Sequence, residues 1–209
     1  MTADDLAPAF ALQAAAREAI LAAIRRAAVP PAELPDLLEV SKVAGEGAPD
    51  LVRRFVAVLR EVGGSAVEVE GAEALAAVVN GLRAGRDVVS SVPGLDVSTL
   101  TIGPDATRAQ LDAIELAIVP GRLGVAENGA IWVDEADLPH RALPVVAQHL
   151  AIVLPKRGIV ADMHAAYARL PRPLPGYGVF ISGPSKTADI EQALVIGAQG
   201  PKSLVVFLT

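Results

Sequence analysis

Apolar positions along the chain change period several times, and each change predicts an element. In "DDLAPAFALQAAAREAILAAIRR" Leu and Ile recur at helical spacing among alanines. That predicts a long helix ending at Arg25 and Arg26, where cations complement the helix dipole, with Pro8 as a possible break. The segment "VPPAELPDLLEVSKVAGEGAPD" is rich in proline and glycine and reads as a linker. Residues 1–49 are thus expected to form a helical arm and linker, and residues 50–209 the main domain.

Beyond the linker, strand and helix patterns alternate. "LVRRFVAVLREVG", capped by Asp50, reads as a helix, "SAVEVE" as a strand and "AEALAAVVNGLRAG" as a helix. "RDVVSSV" is a strand and "ATRAQLDA" a short helix. "IELAIVP", "LGVAE" and "AIWVD" are three β candidates close together, and "HLAIVLP" reads as a buried strand. "IVADMHAAYARL" reads as a helix, "YGVFIS" as a strand, "ADIEQALVIGA" as a helix and "SLVVFLT" as the last strand. The alternation argues for an α/β fold with a mainly parallel sheet. The central cluster of β candidates adds a hairpin insertion.

Three stretches could carry chemistry. In "ISGPSKTADIEQ" small polar residues stand where a strand ends, the usual place for ligands in open α/β sheets. Ser182 and Gly183 follow the strand, Pro184 sets the approach, and Ser185 or Thr187 could cap the expected helix. Its free amides could hold an anion. Asp189 and Glu191 would complement the same dipole and repel an anion unless Lys186 offset them. Ligand contact and a structural turn both remain open on these residues alone. In "GVAENGAIWVD" the pair Asn128-Gly129 predicts a type I′ turn. That explains Asn and Gly but not Glu127, which is either solvated at the tip or aimed into a cleft as base or nucleophile. In "GAQGPKSLVVFL" Gly200-Pro201 reads as stop chemistry between helix and strand.

Composition narrows the classes. The net charge is −6 and aromatic residues make up 3%, a poor basis for binding nucleic acid. There is no cysteine, so the chain has neither disulfide nor thiolate ligands for an iron–sulfur cluster. His140, His149 and His164 lack the spacing of a helical zinc motif, so no metal site is expected. No apolar run is long enough to span a membrane, and no signal peptide is evident, which makes the cytoplasm the expected location. No phosphate-loop or nucleophile-elbow motif occurs.

The run "ISGPSKTADIEQALVIGAQGPKSLVVFL" resembles the lactate-utilization protein C family, the LUD-domain proteins, and "GVAENGAIWV" and "HLAIVLP" match it in order and spacing. The resemblance covers roughly residues 50–209. Glu127, Ser182, Gly183, Pro184, Ser185, Thr187, Asp189, Gly200 and Pro201 match the family pattern. Asn128 stands where Thr is common, and Ala198-Gln199 stand where the family often has Val-His. The resemblance implies a three-layer fold similar to the NagB/RpiA/CoA-transferase group. It also implies a part in oxidising L-lactate to pyruvate, beside partner proteins that carry iron–sulfur clusters, with substrate, nucleotide or partner binding as this chain's share. Glu127-Asn128-Gly129 is also similar to the Glu-Asn-Gly of some family I coenzyme A transferases, where the glutamate attacks an acyl-CoA. A non-catalytic small-molecule binding protein is the third expectation.

Overall fold

The structure is a computed structural model that describes residues 3–27, 48–174, 176–190 and 193–209. It divides into two compact units, residues 1–40 and 41–209. In the first, helix α1 runs Ala3–Arg26 without interruption at Pro8. Most of the expected linker lies outside the described residues.

The second unit begins with α2 (Ala48–Glu61), β1 (Ser65–Glu68), α3 (Gly71–Leu82) and β2 (Val88–Ser90). Phe55 and Leu59, one helical turn apart, are the fully buried face of α2. Its end is set by Val62-Gly63-Gly64. Gly63 takes φ +85°, its N–H bonds the Arg60 carbonyl at 2.9 Å, and the Gly64 N–H bonds the Leu59 carbonyl at 2.8 Å. This is the Schellman pattern, which satisfies carbonyls that a helix end leaves open.

A short helix α4 (Arg108–Asp112) follows, opened by a Thr107–Gln110 capping box. Then come β3 (Leu116–Pro120), β4 (Leu123–Val125), β5 (Ile131–Asp134), α5 (Leu143–Val146), β6 (His149–Leu154), β7 (Ile159–Val160) and α6 (Met163–Arg169). The expected helix "IVADMHAAYARL" thus yields its first residues to β7. The chain ends with β8 (Gly178–Ile181), β9 (Lys186–Ile190), β10 (Ala193–Ile196) and β11 (Ser203–Leu208).

The central sheet has the order β1-β11-β6-β3-β2, and every pairing in it is parallel. Its two faces follow the period of two. Ala117, Val119, Leu150, Ile152, Leu154, Leu204, Val206 and Leu208 face α2 and a second sheet. Leu116, Ile118, Ala151, Val153 and Phe207 face α3 and the loop carrying Leu95 and Val97. Helix, sheet and second sheet make three layers, the α/β arrangement expected. The second sheet is mixed, in the order β7-β4-β5-β8. It grows straight from the carboxyl ends of β3 and β6. At Gly121 an added Cβ would lie 2.6 Å from Ile131 and 2.8 Å from Ile152, so only glycine lets the sheets meet there.

Two expectations about elements fail: α2 starts at Ala48, so Asp50 lies in its first turn instead of capping it, and the segment after Ser185 is extended. "ADIEQALVIGA" is not a helix. Residues 186–190 and 193–196 pair as the antiparallel strands β9 and β10, Ile190 with Ala193 and Thr187 with Val195. Ala, Glu and Gln favour helix locally, but Ile190, Val195 and Ile196 are β-branched. Both main-chain groups of Ser185 are also committed: its N–H to the Pro201 carbonyl and its C=O to the Gly197 N–H, each at 2.9 Å. Those bonds tie the entry and exit of the segment together, as a hairpin requires. Ser185 and Thr187 therefore cap no helix, and no helix N-terminus is available there for an anion.

Candidate functional site

The Glu127 turn is longer than the expected type I′ turn. The Val125 N–H bonds the Ala130 carbonyl at 2.8 Å, and the Gly129 N–H bonds the Val125 carbonyl at 2.9 Å. Four residues, 126–129, close the β4–β5 hairpin. The Asn128 side chain spends its Oδ1 on the Ala130 N–H at 3.0 Å instead of leaving a two-residue turn. Gly129 has φ +67°, and a Cβ there would sit 3.1 Å from the Leu59 main chain. The turn is pressed against α2, which rewards a longer loop with packing.

Glu127 is exposed at this turn, and its Oε2 accepts from the Met163 N–H at 3.0 Å. Asp162, buried, accepts from the Ala165 N–H at 2.8 Å. Two carboxylates thus serve the first turn of α6, where the helix dipole favours negative charge.

The Ser182 loop meets the same turn from the other side. Ser182 Oγ donates to the Asn128 carbonyl at 2.7 Å. Gly183 has φ +74°, and an added Cβ would lie 2.3 Å from the Val62 carbonyl oxygen. Pro184 is buried beside Gly63. The Lys186 ammonium donates to that same Val62 carbonyl, a cation at the carboxyl end of α2. Gly200 lies against the Ser185 side chain, and Pro201 is buried and accepts from the Ser185 N–H. Thr187 is half-buried in β9, and the Asp189 side chain lies outside the described residues.

The two motifs therefore form one seam along the end of α2. Asn128, Ser182, Gly183, Pro184, Ser185, Gly200 and Pro201 are brought together, and Glu127 stands at one end, turned to α6. Gly129 and Lys186, read from sequence as a turn glycine and as a cation offsetting Asp189 and Glu191, take tasks here that depend on how close α2 comes. A second polar contact lies elsewhere: His149 Nδ1 and Ser203 Oγ are 2.8 Å apart. Its signal was the shared first position of "HLAIVL" and "SLVVFL", two apolar strands of equal length. Among the described residues there is no acidic or histidine cluster fit for a metal ion, and no helix is long and apolar enough to cross a membrane.

Comparison with known proteins places these stretches in a family context. The model of the LUD domain matches residues 103–209, just over half the chain, including both motifs. A protein from Deinococcus radiodurans named Lactate utilization protein C is 29% identical over 203 residues, covering 90% of this chain and 89% of that one. Another of that name, from Shouchella clausii, is 34% identical over 98 residues, which span 44% of this chain and 42% of that relative. The crystal structure of a DUF162 family protein from Deinococcus radiodurans has a similar fold, with a TM-score of 0.57 and 22% identity, over 78% of this chain and 98% of that one.

Proposed function

This chain belongs to the LUD-domain family, and from that premise we propose that it acts in lactate utilization. Its share is that of a binding component in a multi-protein system that oxidises L-lactate to pyruvate. The observation that carries this reading is the similarity over nine-tenths of the chain to a protein named for lactate utilization. The absence of cysteine supports a division of labour in which partner proteins carry the iron–sulfur clusters. The seam of Asn128, Ser182–Thr187, Gly200 and Pro201 is the candidate binding surface for substrate, nucleotide or partner. Deleting the gene, in cells without a second copy, should abolish growth on L-lactate as sole carbon source, with growth on glucose retained. Unchanged lactate consumption in the deletion strain would overturn the reading.

The exposed Glu127 carboxylate, on a turn fixed by Gly129 and Ser182, supports a second reading: a CoA-transferase-like enzyme. There Glu127 would attack an acyl-CoA carbonyl, giving a mixed anhydride and then a glutamyl–CoA thioester with release of the carboxylate. Incubation with a panel of acyl-CoAs and intact-mass measurement tests it directly. An adduct absent from Glu127→Gln would establish it, and no adduct would remove it.

A further inference from the structure

The amino ends of the central strands carry a cavity that the seam does not explain. His149, Ser203 and Leu116 are direct Cα partners across β6, β11 and β3, so their side chains stand on one face of the sheet. Above them lies a cavity of about 140 Å³, lined chiefly by Leu82, Arg86, Leu116, His149, Ser203 and Val205. At roughly 30 Å³ per water-sized group, it holds about five such groups. That volume suits a small metabolite.

The polar inventory there is specific. Arg86 hangs from the end of α3 with its Nη1 on the Leu82 carbonyl. Among the described residues no carboxylate forms an ion pair with it. Lys202 is nearby, its Nζ 3.0 Å from Gln148 Oε1. The nearby acid, Glu115, has its Oε2 on the Asp87 N–H at 2.8 Å. Burial, then the charges of Arg86 and Lys202, push the His149 imidazole below its ordinary 6.5 despite an opposing pull from Glu115. The field is thus cationic, and a neutral ring beside the Ser203 hydroxyl offers both donor and acceptor. The walls are otherwise leucine and valine. The opposite, carboxyl ends of β3 and β6 run into the second sheet, with Gly121 and Gly124 in close contact with its residues and with Leu154.

We propose that this cavity is a binding site for a short-chain carboxylate of about three or four carbons. Arg86 meets the carboxylate, Leu82, Leu116 and Val205 hold the carbon chain, and the His149–Ser203 pair bonds a hydroxyl or keto oxygen beside it. Arg is suited to the first task because its planar fork matches a carboxylate. The carboxylate class follows from the cavity's size, charge and walls, while the choice of L-lactate and pyruvate rests on the lactate-utilization reading.

Titration of the purified full chain with propionate, L-lactate, pyruvate and inorganic phosphate, followed by NMR of the His149 ring, tests it. Saturable shifts with L-lactate or pyruvate in the millimolar range are expected, weaker with propionate, which lacks the hydroxyl or keto oxygen. Arg86→Gln should weaken binding at least tenfold, and Ser203→Ala should erase the preference over propionate. Arg108→Gln, an exposed change on α4 away from the cavity, should bind as the parent chain does. If Arg86→Gln fails to fold, Ser203→Ala carries the test alone. No saturable shift with any carboxylate, equal binding of phosphate, or binding indifferent to both variants would each overturn the site, and none of them touches the growth phenotype.

Discussion

Gly183 shows how much a single position in the seam decides. Its φ of +74° costs any L-residue about 1–2 kcal/mol, and its missing Cβ leaves room for the Val62 carbonyl at the end of α2. Gly94 shares the positive φ, +76°, but an added Cβ meets nothing within 4 Å. Gly183→Ala should therefore lose about 3 kcal/mol, the φ cost plus overpacking, while Gly94→Ala loses only about 1 kcal/mol. Urea unfolding of the two variants side by side checks the difference. From the residues alone, Gly183 was visible as part of a polar loop. The reason for glycine was not, because it lies on another helix more than a hundred positions away.

At the level of elements, α6 depends on groups from two parts of the chain. Asp162 caps it from the adjacent residue, and Glu127 reaches it from the β4–β5 turn. Asp162→Ala should cost about 1 kcal/mol, typical of a lost N-cap in a short helix. Glu127→Gln should cost less, since the amide keeps an acceptor and the site is exposed. Thermal melts of both variants decide whether Glu127 has a structural task beside any chemical one. Helices and strands with one clear period, such as α2, β3, β6 and β11, were readable from their residues. The β9–β10 hairpin was not. Its composition suits a helix, and what makes it extended is the pair of bonds from Ser185 to Pro201 and Gly197. A window of sequence does not contain such bonds.

For the whole molecule, α2 is the piece that joins the layers. Phe55, fully buried, belongs to the core between the central and second sheets, and Gly124 makes room for its ring. Phe55→Ala should cost about 3–5 kcal/mol, a large part of the 5–15 kcal/mol available to an ordinary domain. Guanidinium unfolding should show it as a lowered midpoint with little change in slope. By itself the sequence determined the α/β class, the parallel strands, the family and the stretches that mark it, because periodicity and motif spacing are local properties of the chain. Only the tertiary structure decided that residues 186–190 and 193–196 are extended, that Ser182 bonds Asn128, and that His149 and Ser203 share one cavity with Arg86. Those facts depend on strand register and on how closely α2 and α3 approach the sheets, which are set by packing between segments far apart in the chain.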